Sequence, residues 1–108
     1  MMTAQIPTQH FLIVAALLFS IGLAVAITKK NTIVILIGIE LMLNAINLNL
    51  VAFSRTDTHL EGHFFALFVV VIAAIETAVA LAILLKIYRE YKTIDIENLN
   101  RLKEPENV

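Results

Sequence analysis

Residues 32–53 read TIVILIGIELMLNAINLNLVAF. The run holds 22 residues, no proline and one ionisable side chain, Glu40. Roughly 20 apolar residues in a helix cross a hydrocarbon core of about 30 Å. Lipid offers no partner to a backbone amide, so a crossing segment must be a helix. The stretch therefore reads as a transmembrane helix with a carboxyl group inside it.

Two further apolar blocks flank it. Phe11–Ile27 has 17 residues and Phe64–Ile87 has 24, both within the crossing range. The expected fold is an all-α membrane protein with three transmembrane helices. Its parts are an outer N-terminal segment (1–10), spans at 11–27, 32–53 and 64–87, connections at 28–31 and 54–63, and a tail at 88–108. Ala24-Val25-Ala26 resembles a signal-peptidase site, but residues 1–10 carry no Lys or Arg, so the first block is kept as a span. The tail retains Ile94, Ile96, Leu99 and Leu102 before Pro105. That spacing fits a short surface helix, an extended docking strand or a solvated tail.

Composition agrees with a membrane setting. Of 108 residues, 59% are hydrophobic, and mean hydropathy is +0.85. Eight basic and nine acidic side chains nearly cancel, so nothing points to nucleic acid. Without cysteine the chain offers no thiolate for an iron–sulfur cluster. Three isolated glycines, 22, 38 and 62, make no phosphate-cradling loop. Neither span offers a His beside its Glu, so no metal site is expected. His10, His59 and His63 fall at or beyond the outer edge and read as interfacial residues rather than haem ligands.

Charge sets the expected orientation. The first connection and the tail share one side and carry Lys29, Lys30, Lys86, Arg89, Lys92, Arg101 and Lys103; the other side has only Arg55. The positive-inside rule then puts the N-terminus outside and the C-terminus in the cytoplasm.

The spans hold two acids, Glu40 and Glu76. A charge at the bilayer centre costs at least about 2.5–3.5 kcal/mol, so intramembrane acids call for a role. Glu40 lies ten residues after Lys30, and Glu76 ten residues before Lys86. Ten residues rise about 15 Å, half the core, so both carboxyls sit near the midplane at one level. Groups at one level suit proton transfer sideways rather than across the membrane. Asn44 and Asn47 follow Glu40 at helical spacing on its own stripe, and Thr77 adjoins Glu76. Asn49 points to the opposite face of its helix. Small residues are expected to form packing seams: Ala16, Ser20 and Ala24 on the first span, Ala74, Ala78 and Ala82 on the third.

The run from Gly38 to Leu48 (GIELMLNAINL), followed by Ala73-Ala74-Ile75-Glu76-Thr77-Ala78, resembles subunit K of the proton-pumping NADH:quinone oxidoreductase, respiratory complex I. The likeness extends over nearly the whole chain, including the basic pair plus Asn at 29–31. It implies a non-redox translocase subunit in the membrane arm, lying between the antiporter-like subunit N and the small subunits J and A, near the quinone-binding membrane subunit. It implies that Glu40 and Glu76 belong to a hydrated polar axis linking quinone reduction to proton translocation, supported by Asn44, Asn47 and Thr77. It also gives weight to the cytoplasmic loop Lys29, Lys30 and Asn31. No cofactor is implied in this chain; FMN, iron–sulfur clusters and quinone belong to other subunits. The implied location is a cell inner membrane, or an organellar one for a plastid or mitochondrial chain. Relatives often carry small residues on both sides of the second acid, where this chain has Ile75 and Thr77. The alternative is the small subunit of a multisubunit cation/proton antiporter, which usually matches less well around the two acids. A small multidrug exporter, with four spans and its acid in the first, fits neither count nor position. A scaffold protein would leave the acids without a task.

Overall fold

The computed structural model describes residues 6–56 and 59–103. Three long helices run in sequence: α1 (Thr8–Thr28), α2 (Thr32–Phe53) and α3 (Glu61–Tyr91). A 3-10 turn (Ser54–Thr56) follows α2, and a short helix α4 (Ile96–Lys103) follows α3. Each long helix is apolar enough to cross a membrane. α2 begins and ends where the hydropathy block does. α1 and α3 run beyond theirs, because a helix continues past the hydrocarbon until its backbone finds another cap. The 31 residues of α3 rise about 46 Å, well over a ~30 Å core, so at least one end projects.

α2 lies between the other two helices, and α1 scarcely touches α3. The α1–α2 seam is built on small residues seven apart: Ala15 and Gly22 on one helix, Gly38, Ala45 and Ala52 on the other, all buried. Gly22 and Gly38 set the distance of approach. A Cβ on Gly22 would stand 2.5 Å from the Gly38 carbonyl oxygen, and one on Gly38 would stand 2.7 Å from that of Gly22. The seam expected at Ala16, Ser20 and Ala24 is not there. All three are exposed, and Ser20 returns its hydroxyl to the Ala16 carbonyl. In lipid every face of this helix is apolar, so the tightest stripe wins on backbone approach, and the glycine decides it. α3 packs on α2 through Ala66, which is buried, and Ala73, Thr77, Ala80 and Leu84, which are half-buried. Ala74, Ala78 and Ala82 are exposed rather than packed against a helix of this chain.

At one end of the bundle α2 meets α3 through Gly62, where a Cβ would fall 2.4 Å from that of Ser54. The buried Ser54 hydroxyl donates to the Val51 carbonyl at 3.0 Å. Its single proton being used, it accepts from Nδ1 of His63 at 2.5 Å. Arg55 caps this end by reaching the Ile6 carbonyl and covering the Phe11 ring at 4.8 Å.

At the other end the tail folds back. Lys92 takes a left-handed conformation (φ 60°) and donates its amide to the Tyr88 carbonyl, closing α3. The chain then pairs with the α1–α2 loop in an antiparallel bridge between Asn31 and Asp95. The Thr32 amide and hydroxyl both donate to the Ile94 carbonyl (3.2 and 2.8 Å), and the Ile96 amide donates to the Lys30 carbonyl (3.1 Å). Asn31 caps α2, its Oδ1 accepting from the amides of Ile33 and Val34. The tail is thus both docking strand and surface helix, in succession; Pro105 lies outside the described residues.

An ion pair joins Lys30 to Glu97 across this latch. Its hydrogen bond, then its charge, holds the Glu97 carboxyl below the usual range and raises the Lys30 ammonium. The pair is intact at neutral pH. It is lost as pH falls through the lowered Glu97 value, and again as pH rises through the raised Lys30 value. Both groups are exposed, so the backbone bonds matter more than the charges. Ile96→Pro tests this. Proline suits the first position of α4 but has no amide for Lys30. Amide exchange at Thr32 is expected to quicken several-fold, as for loss of one hydrogen bond of about 1 kcal/mol. Unchanged exchange at Thr32 would show that the latch does not hold the loop.

Candidate functional site

Glu40 sits two residues past the Gly22–Gly38 crossing, on the side of α2 that meets α3. Its Oε1 accepts a hydrogen bond from the Thr77 hydroxyl, across the helix interface. That contact puts position 77 of α3 level with position 40 of α2. Glu76, one residue away, differs in height by only about 1.5 Å. The level read from the two lysine edges thus agrees with the packing of the helices.

The open cleft around this contact has a volume of about 520 Å³. Glu40, Asn44 and Asn47 line one wall, and Ala73, Ala74 and Thr77 the other. The alanines leave room, and the polar groups all stand near one helical stripe. The Asn47 Oδ1 is buried and has no hydrogen-bond partner among the described residues. An unsatisfied buried carbonyl costs about 1–3 kcal/mol, so this wall draws a donor. Asn49 falls between Ala45 and Ala52, on the opposite side of α2, and its Oδ1 is likewise buried and unpaired among the described residues.

Four of the expected site residues are therefore brought together: Glu40, Asn44, Asn47 and Thr77. Glu76 is not. Consecutive helical residues are about 100° apart, so when Thr77 faces α2, Glu76 turns aside. It is exposed on α3 and does not line the cleft. Lys29, Lys30 and Asn31 form the loop at the far end of α2; Asn31 caps the helix and Lys30 meets Glu97. Nine residues of helix, about 13 Å, separate Asn31 from Glu40. The sequence reading attached Thr77 to the wrong acid. Matched depth was visible in it, but the angular position of each residue was not. Among the described residues no group of three or more His, Cys, Asp or Glu gathers into a metal site.

Comparison with known proteins adds to this geometry. The profile of a family described as NADH-ubiquinone/plastoquinone oxidoreductase chain 4L matches residues 10–104. A NADH-quinone oxidoreductase subunit K from Chlorobaculum parvum is 48% identical over 100 residues, covering 93% of this chain and 95% of its own. That of Geobacillus kaustophilus is 50% identical over 95 residues, covering 86% and 94%. A subunit K 1 from Koribacter versatilis is 49% identical over 100 residues, covering 93% and 98%.

Proposed function

The chain belongs to the NADH-ubiquinone/plastoquinone oxidoreductase chain 4L family, and from that premise we propose that Glu40 and Glu76 are acids of a lateral proton relay in the membrane arm of a proton-pumping NADH:quinone oxidoreductase. The observation that carries this reading is the Glu40–Thr77 contact in a polar-lined cleft, with Glu76 one residue along α3. It supports two acids at one level, about where the cost of charge is greatest.

The two acids differ in setting. Glu40 faces into the cleft within this chain, whereas Glu76 is exposed on α3. A carboxyl at mid-membrane depth does not stand against lipid when a polar neighbour is available. The relay therefore runs from Glu40 through groups in the cleft to Glu76, and from Glu76 into a neighbouring subunit. The expected neighbours are the antiporter-like subunit N on one side and subunits J and A, toward the quinone-binding membrane subunit, on the other. Flavin, iron–sulfur clusters and quinone lie in other subunits, and the membrane is the inner membrane or its organellar equivalent.

The test is proton pumping by membrane vesicles energised with NADH. Glu40→Gln and Glu76→Gln should each lower it while the complex remains assembled. Normal stoichiometry in both variants rejects the relay. The orientation has a separate test. A cysteine placed at Thr3 should react with an impermeant thiol reagent from outside intact cells, and one at Lys29 should not. The reverse pattern overturns the outward N-terminus.

A further inference from the structure

We infer that Thr77 is the positioning residue for Glu40: it holds the carboxyl against α3 in both protonation states. This rests on the reading of Glu40 as a relay acid and goes beyond it by naming the group on α3 that Glu40 meets.

The contact joins Thr77 Oγ1 to Glu40 Oε1 across the α2–α3 interface, between half-buried side chains. An ionised carboxylate only accepts, so the threonine hydroxyl must then donate. When Glu40 takes up a proton, its own O–H can donate, and the hydroxyl oxygen of Thr77 accepts. Thr77 keeps its own proton throughout. That proton becomes free to turn back to the carbonyl four residues earlier, Ala73, a bond that threonine in a helix readily makes. One side chain thus serves both states by reversing the sense of a single hydrogen bond. An amide could do so only by flipping, and an alanine not at all.

Position matters as much as chemistry. Thr77 lies between Ala73 and Ala80 on the packed stripe of α3, with no larger side chain competing for the carboxyl. The β-branched side chain has few rotamers, so it presents its hydroxyl at a fixed place. Glu40 is long and unbranched, and without that anchor it has the length of the cleft to wander in.

Thr77→Val, Thr77→Ser and Glu40→Gln in the intact complex test this. Valine keeps the shape and removes the hydroxyl; serine keeps the hydroxyl. The infrared carbonyl band of protonated Glu40 is the band that Glu40→Gln abolishes. It should shift in Thr77→Val and return to the parental position in Thr77→Ser. NADH-driven proton pumping should fall roughly tenfold in Thr77→Val, the size expected for a hydrogen bond to a charged group, and stay within about twofold in Thr77→Ser. A band unmoved by valine overturns the assignment, as does a serine variant that behaves like valine. If the band shifts as expected but Glu40→Gln pumps normally, the positioning stands and the relay reading falls.

Discussion

Glu40→Gln is expected to leave the subunit assembled and to lower NADH-driven proton pumping by at least about tenfold, equivalent to ~1.4 kcal/mol or more at the limiting step. Glutamine has the same length and nearly the same volume. Its amide oxygen still accepts the Thr77 hydrogen bond, and its NH2 can meet an acceptor in the cleft, such as the unpaired Asn47 oxygen. Packing of α2 on α3 is therefore conserved, and only the exchangeable proton is lost. Glu40→Ala would be a poorer experiment, since it removes the partner of Thr77 and widens the cleft at once. Glu40→Asp separates the two roles in another way. It keeps the acid but withdraws it by about one bond length, beyond reach of the Thr77 hydroxyl without a shift of α2. Intermediate pumping in Asp and near-zero pumping in Gln is the pattern of a relay acid that must be both titratable and placed. Parental pumping in Gln would mean that Glu40 serves only as an acceptor that ties two helices together.

The second span was legible almost to the residue because two independent signals coincide there. The apolar run starts at Thr32, and Asn31 immediately before it is an N-cap by residue type. The third span was legible as a crossing but not as a helix 31 residues long. Hydropathy reports where lipid ends, whereas α3 ends only at Lys92, where a left-handed residue closes it. No glycine marks that turn, so the return of the tail onto the loop had no local signal. The seam between α1 and α2 was misplaced for a physical reason. In a soluble helix the buried face stands out by polarity, but in lipid both faces are apolar and only size distinguishes them. Ala16, Ser20 and Ala24 form a ladder as plausible as Ala15 and Gly22 until the partner's Gly38 is placed opposite. The site was half legible. Depth follows from counting along a helix, so the level of the two acids could be read. Azimuth around α3 depends on which stripe packs on α2, and that put Thr77, not Glu76, beside Glu40.

The largest structural effect is expected at the same seam. Two opposing terms act on Gly22→Ala and Gly38→Ala. Alanine favours a helix interior over glycine by about 1 kcal/mol. Against this, the new Cβ at position 22 meets the Gly38 carbonyl oxygen at 2.5 Å and Met42 Cγ at 2.9 Å. At position 38 it meets the Gly22 oxygen at 2.7 Å and the Ala26 nitrogen at 2.9 Å. Met42 can turn away, but the backbone oxygen and nitrogen cannot. The helices must move apart by several tenths of an ångström, and the close contacts of Ala15 and Ala45 are lost with them. No hydrophobic force between helices compensates in lipid. Overpacking of this kind costs typically about 1–3 kcal/mol, so alanine is destabilising on balance and valine, at either position, clearly so. The displacement reaches function as well, because Glu40 is the second residue after Gly38. Gly22→Val is expected to deplete the subunit from the assembled complex on native gels after mild-detergent extraction. Ala16→Val, on the exposed side of α1, should leave it at parental level. Gly22→Ala, the smaller insult, should assemble with a lowered melting temperature and reduced pumping. Assembly of Gly22→Val at parental level would show that α1 and α2 do not approach at these two glycines.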